Sequence, residues 1–295
     1  MAPGTVRLPD GRALGLSECG DPQGWPVFFF HGFAGSRLQR HPDDGLAEAA
    51  GVRLIAVDRP GIGNSDRLPR RRVINWAADI AAAADVVSAA EFSVFGWSAG
   101  APHALACAHA MPGRVSAVAL ASPMGSWMVG PGAAAAQAGR ESKRMARLAY
   151  LAPRAMPLLL RGLARHARNS PARTVDSQAR SLPTADQAVV ADPAIHAMLV
   201  GTLDEAFRQG AAGVADDAVA CARPWGFDPG AVTVPTYLWH GTADRTIPLA
   251  WARQLASQLP TCQPTWLPDE GHFMLFTHWS AILSSITPTD KQRNR

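Results

Sequence analysis

Phe92-Ser93-Val94-Phe95-Gly96-Trp97-Ser98-Ala99-Gly100 decides how this chain is read. An apolar run of strand character leads into Gly96. Behind Gly100, Ala101-Pro102-His103-Ala104-Leu105-Ala106-Cys107-Ala108 has helix character. Strand, G-x-S-x-G, then helix is the context in which a serine projects from a sharp turn. A side chain at either flanking glycine would collide with the neighbouring strand or helix, and glycine also tolerates unusual backbone angles. The serine oxygen then lies at a helix N-terminus, where free N–H groups and the helix dipole favour developing negative charge. The pattern also arises by chance in glycine-rich chains, so its weight comes from the rest of the sequence.

A serine hydroxyl is a weak nucleophile at neutral pH and needs a histidine base oriented by a carboxylate. Downstream, the strand-like run Val234-Pro235-Thr236-Tyr237-Leu238-Trp239-His240 precedes the turn Gly241-Thr242-Ala243-Asp244. A helix-like segment from Leu249 to Leu259 follows, then the short strand Pro264-Thr265-Trp266-Leu267, then Asp269-Glu270-Gly271-His272. Asp244 and His272 each lie just past a predicted strand. In a parallel sheet both emerge at the same edge as Ser98, where ligand sites gather. Upstream, Val27-Phe28-Phe29-Phe30 ends in His31-Gly32-Phe33-Ala34-Gly35-Ser36, whose glycines let an N–H turn into the site. The N–H groups of Ala99 and Phe33 are the expected donors to a tetrahedral oxyanion.

These segments, with Asp58-Arg59-Pro60-Gly61-Ile62-Gly63-Asn64-Ser65-Asp66, resemble the α/β-hydrolase superfamily over nearly the whole chain. The resemblance implies a mostly parallel eight-stranded sheet with helices on both faces and a helical cap. It implies a serine hydrolase of the esterase kind, acting on an ester, thioester or lactone of a small molecule through an acyl-enzyme. The Asp58–Asp66 stretch looks like the family's loop after the fourth strand and reads as a structural turn under the site. Relatives that open epoxides or displace halide carry aspartate at the elbow, and serine at 98 argues against both. A non-hydrolytic relative (cyclase, lyase or ligand receptor) stays open. So does an amidase of the proline iminopeptidase type, although such enzymes bind a free amine with acidic cap residues.

Nine histidines compete for the role of base. His31 in the oxyanion turn, His103 on the elbow helix and His240 at a strand end read as structural. His41, His109, His166 and His196 have no partner pattern, and His278 follows in the next helix. Asp269 and Glu270 adjoin His272 but read as surface turn residues. The loop Ser122-Pro123-Met124-Gly125-Ser126 offers no alternative acid.

The chain has 295 residues and 47% hydrophobic content, enough for one large core. The net charge of +4 is not the dense basic footprint of a nucleic-acid binder. No apolar run of about 18 residues predicts a membrane span, and Met1–Gly20 shows no signal peptide. Cys19, Cys107, Cys221 and Cys262 form no C-x-x-C pair, which fits free thiols and a cytoplasmic protein. No metal or other cofactor is implied.

Strand–helix alternation is predicted through strands at 5–8, 13–18, 27–30, 53–57, 92–95 and 115–121, with helices near 37–50, 73–89 and 100–111. Asp10-Gly11 marks a hairpin. Residues 1–122 and 230–295 therefore form the predicted core. The stretch 123–229 reads as an inserted helical cap broken at Pro153, Pro157, Pro171, Pro183 and Pro193. Trp97, Trp127 and Met198 are candidates for the substrate pocket, as are Met124, Met128, Met145, Met156 and Leu158–Leu160. Plain packing is the simpler reading of each single residue. Between Arg140 and Arg180 stand ten Lys or Arg and two acids. A solvated face explains them better than a dock for an acyl carrier or anionic substrate.

Overall fold

The computed structural model describes residues 4–125 and 147–288. Eight strands form one sheet: β1 (Gly4–Arg7), β2 (Ala13–Gly20), β3 (Trp25–Phe30), β4 (Val52–Val57), β5 (Phe92–Trp97), β6 (Val115–Ala121), β7 (Thr236–Gly241) and β8 (Cys262–Leu267). Their order is β1-β2-β4-β3-β5-β6-β7-β8. β2 is antiparallel to β1 and β4, and β3 through β8 run parallel. The β1–β2 hairpin turns at Asp10-Gly11, where Gly11 has φ +88°.

β3 shows why the central strands are uninterrupted apolar runs. Side chains alternate between the faces of a strand, and both faces of a parallel sheet are covered by helices. Phe28 packs edge-on to Phe92, and Phe30 to Trp76, on one face. Phe29 packs against Phe95 and Trp279 on the other. The first face is covered by α2 (Trp76–Val86), α3 (Ala101–Ala110) and α9 (Leu249–Gln258), the second by α1 (Gly45–Ala49), the short α10 (Met274–Thr277) and α11 (Trp279–Ile286).

One predicted helix is much shorter than expected. The stretch 37–50 is helical only over Gly45–Ala49. The backbone N–H of Arg37 is taken by Asp58 Oδ1 at 2.7 Å, and Pro42 cannot sit inside a helix without losing a bond. The helix expected at 73–89 begins as a tight 3-10 turn, Val73–Asn75, before α2.

Among the described residues between β6 and β7 lie five helices: α4 (Met156–Asn169), α5 (Pro171–Ala179), α6 (Thr184–Val190), α7 (Pro193–Ala206) and α8 (Ala211–Ala222). Proline stands in the first turn of α4, α5 and α7, where its missing N–H costs nothing. These prolines start helices as much as they end them. α4 turns Met156, Leu160, Ala164 and Ala167 inward at helical spacing, and these join the same buried cluster as β3 and β5. Among the described residues, no helix is long and apolar enough to cross a membrane. All four cysteines are free, three of them buried.

Candidate active site

Ser98 follows the last residue of β5 with φ +53°. For a non-glycine residue this is a strained conformation costing about 1–3 kcal/mol, of the kind that clusters at functional sites. The flanking glycines are needed for room. A Cβ on Gly96 would lie 2.7 Å from Ala101 Cα, and one on Gly100 would lie 2.0 Å from the Phe30 carbonyl oxygen. Gly100 itself has an ordinary φ of −74°. The backbone strain thus falls on the serine, and the glycines supply only space.

The loops after β7 and β8 bring Asp244 and His272 to the same edge. His272 Nε2 lies 3.1 Å from Ser98 Oγ, and His272 Nδ1 lies 2.8 Å from Asp244 Oδ2. Asp244 Oδ1 accepts the backbone N–H groups of Thr246 (2.7 Å) and Ile247 (2.9 Å), which fixes the carboxylate. With Nδ1–H donating to Asp244, the Nε2 lone pair faces the serine hydroxyl. Ser98, Asp244 and His272 are each at most 7% exposed. Burial disfavours the imidazolium, but the Asp244 carboxylate outweighs it and raises the His272 pKa above its ordinary value. Burial likewise pushes Asp244 up, yet His272 and the backbone N–H groups hold it below the usual carboxylate range. Asp269 is exposed, and Glu270 reaches His278 rather than His272.

Gly32 and Phe33 border the same cavity as Ser98, and Ala99 is fully buried behind the serine. The Gly32 N–H is held by Gln39 Oε1 at 2.8 Å. His31 is buried, and burial drives its pKa well down, so it is neutral. Its Nδ1–H donates to the Gly32 carbonyl at 2.8 Å, and its Nε2 faces the Arg59 N–H at 3.4 Å. His103 donates to the Ala99 carbonyl at 2.9 Å and is pushed by burial to about 3. His240 is pushed by burial to about 4 and meets the Ile247 carbonyl at 3.1 Å. Each of the three rings thus meets a backbone carbonyl.

The cavity over Ser98 has a volume of about 340 Å³. Trp97 lines it and donates its indole N–H to the His272 carbonyl at 3.2 Å. Met198 is half-buried against the core, while Leu199, Thr202 and Leu203 of the same helix line the cavity. Met124 packs on Ile247 and Trp251, Met156 and Leu160 belong to the core, and Leu158 and Leu159 are 64% and 51% exposed. Trp127, Met128 and Met145 lie outside the described residues. The described arginines of the basic stretch, from Arg147 to Arg180, are all exposed.

Two acids of the helices between β6 and β7 matter that no local pattern singles out. Asp186 in α6 is 1% exposed, and its Oδ1 accepts the Phe273 N–H at 2.8 Å, beside His272. Asp217 in α8 is fully buried against Arg59 and Arg71. Each contact joins residues far apart in the chain, and the only local hint is an acid set among apolar neighbours on its helix. His103, Asp217 and Cys221 bring possible metal-ligating atoms within 4.8 Å of one another. Asp217 already accepts three N–H bonds from two guanidinium groups, and their positive charge opposes a cation there.

The model of the alpha/beta hydrolase fold family matches residues 26–278, and the chain belongs to that family. No curated protein sequence matches it. Among solved structures it is similar to an esterase from Rhodococcus sp. ECU1013, with 20% identity, TM-score 0.65, and 97% of this chain and 100% of that chain covered. It is also similar to a bromoperoxidase from Bacillus anthracis, with 15% identity, TM-score 0.71 and coverage of 96% and 97%. An enol-lactonase from Burkholderia xenovorans LB400 shows 18% identity, TM-score 0.66 and coverage of 96% and 98%. At such identities these likenesses establish the fold.

Proposed function

We propose that the protein is a serine hydrolase that cleaves a small, uncharged carboxylic ester, thioester or lactone through an acyl-enzyme on Ser98. The observation that carries this reading is the hydrogen-bonded chain Ser98–His272–Asp244 opening into the cavity. Ser98 Oγ attacks the carbonyl carbon while its proton passes to His272 Nε2. The N–H groups of Phe33 and Ala99 receive the oxyanion. The alcohol or thiol leaves with the proton from His272, and water then releases the acid by the same route. The inserted helices act as a cap that excludes water and shapes the pocket. Among the described cavity-lining residues there is no carboxylate, lysine or arginine. This favours a neutral acyl group over a free amine or an anionic substrate, and leaves the described arginines from Arg147 to Arg180 as a solvated face.

The test is pre-steady-state hydrolysis of p-nitrophenyl acetate and butyrate. A burst approaching one p-nitrophenolate per enzyme is expected. Folded protein that turns over no short ester, thioester or lactone would refute the reading. The pocket makes a further expectation. Leu182 borders the cavity, so Leu182→Phe is expected to lower kcat/KM for butyrate or hexanoate about tenfold relative to acetate, since a pocket discriminates by about 1–3 kcal/mol per methylene. Equal losses on all chain lengths, in step with a lower melting temperature, would mark Leu182 as core.

The raised His272 pKa has a visible consequence. A base works unprotonated, so kcat/KM is expected to rise with pH through a midpoint above 6.5. The charged groups facing His272 are Asp244 and Asp186, with neutral His240 behind Asp244. Both carboxylates stabilise the imidazolium. Asp186→Asn keeps an acceptor for the Phe273 N–H and removes one negative charge, so the midpoint is expected to move to lower pH. A pH profile superimposable on that of the wild type would show that Asp186 serves packing alone.

A further inference from the structure

Arg59 is fully buried, and its guanidinium has two sets of partners. On one side Nε and Nη2 donate to Asp217 Oδ1 and Oδ2 at 2.8 and 2.7 Å. On the other, Nη1 donates to the His31 carbonyl at 2.5 Å and Nη2 to the Gly32 carbonyl at 3.0 Å. The Gly32 carbonyl also accepts from His31 Nδ1 (2.8 Å) and the Gly35 N–H (3.2 Å). The carbonyl of Gly32 and the N–H of Phe33 belong to one planar trans peptide and point in opposite directions. Holding the carbonyl on the Arg59 side therefore aims the Phe33 N–H the other way. A Cβ built on Gly32 would be 3.5 Å from Ser98 Cβ, and Gly32 and Phe33 border the same cavity as Ser98, so the peptide that Arg59 holds adjoins the serine.

Asp217 reaches Arg59 because α8 sits directly on the loop after β4. Gly213, one helical turn before Asp217, has no room for a side chain: a Cβ there would lie 1.9 Å from the Gly61 carbonyl oxygen. Arg71 gives Asp217 a second partner at 2.7 Å. A buried ion pair is weak evidence for stability, because apolar residues of the same volume often serve equally well. An arginine that also binds two consecutive carbonyls of a turn does something an apolar residue cannot.

We propose that Arg59, held by Asp217 from the inserted helices, is a positioning residue that sets the orientation of the Gly32–Phe33 peptide and so aims the Phe33 N–H at the oxyanion. This deepens the serine-hydrolase reading and rests on it. Arg59 acts through the turn and touches no substrate. A ground-state substrate is expected to bind equally well without it, whereas the transition state loses a donor.

The experiment measures the second-order rate of Ser98 phosphonylation by a fluorophosphonate. Here the Ser98 Oγ–P bond forms, the P–F bond breaks, fluoride leaves, and the hydroxyl proton passes to His272. The negative charge gathers on the phosphoryl oxygen at the two N–H donors. Arg59→Lys keeps the charge but lacks the fork for two carbonyls and a carboxylate. It is expected to slow labelling about 10- to 100-fold, a fraction of or close to the loss of one oxyanion donor, with the pH midpoint unchanged. Asp217→Asn is expected to slow it less, since one acceptor remains. Asp79→Asn, which breaks the Arg12–Asp79 pair and shares no partner with Arg59 or Asp217, controls for lost stability and is expected to stay within about twofold of wild type. In addition, the Phe33 amide proton of the wild type is expected to shift downfield on phosphonylation, a measurement that needs no variant to fold. Labelling of folded Arg59→Lys at the wild-type rate, or a loss matched by Asp79→Asn, would overturn the lock alone, whereas an unmoved Phe33 amide would overturn the lock together with the donor role of Phe33 and leave Ser98 as nucleophile. Wild type that is not labelled at all would overturn the serine reading and the lock with it.

Discussion

Ser98→Ala is expected to lower kcat on short esters by about five to six orders of magnitude, with KM nearly unchanged. In the proposed mechanism the hydroxyl forms the acyl-enzyme, and no neighbouring group replaces it. What survives is the slow attack of water in a site that still has its N–H donors. Alanine is smaller than serine and Ser98 sits at φ +53° in either case, so the melting temperature is expected to stay within a few degrees. Stopped-flow or long-incubation assays of p-nitrophenyl acetate check this. Retention of more than about 1% of wild-type activity by pure Ser98→Ala would be incompatible with an acyl-enzyme on this serine.

His272→Ala is expected to be about as damaging as Ser98→Ala, and the double variant scarcely worse than either, because the residues act as one unit. Asp244→Asn leaves the base in place but removes the charge that supports the imidazolium and disturbs its tautomer. A loss of about 10⁴-fold is expected, no larger than that of His272→Ala. Multiplicative losses in the Ser98→Ala, His272→Ala double variant would mean that the two side chains act in separate steps.

The parts of the molecule legible in the chain are those whose physics is local. Val27-Phe28-Phe29-Phe30 and Phe92-Ser93-Val94-Phe95 read as central strands because burial on both faces leaves no polar alternation. Asp244 and His272 could be picked because each directly follows a strand, and parallel strands deliver their C-terminal ends to one edge. His31, His103 and His240 read as structural because none stands in a strand-end loop downstream of an acid, the order a serine, acid and histidine triad needs.

What escaped depends on tertiary placement. Met198 and Leu199 are adjacent and equally apolar, and which of them borders the cavity follows from the rotation of α7 against the core. Leu158 and Leu159 read as pocket or core, yet α4 turns Met156 and Leu160 inward and leaves these two in solvent. Arg59 and Asp217 stand 158 residues apart, and Asp186 and Phe273 stand 87 apart. No spacing rule connects such pairs. The Asp58–Asp66 loop reads as a structural turn, and it is one, but its arginine reaches through to the backbone beside the serine.

The central claim is that Ser98 is the nucleophile, and the most direct measurement is covalent. Wild-type protein treated with a fluorophosphonate is expected to gain the mass of one phosphonyl group. Peptide mapping is expected to place it on Ser98, with labelling lost in Ser98→Ala and strongly slowed in His272→Ala. An unmodified wild type, or an adduct on any other residue that persists in Ser98→Ala, would contradict the account.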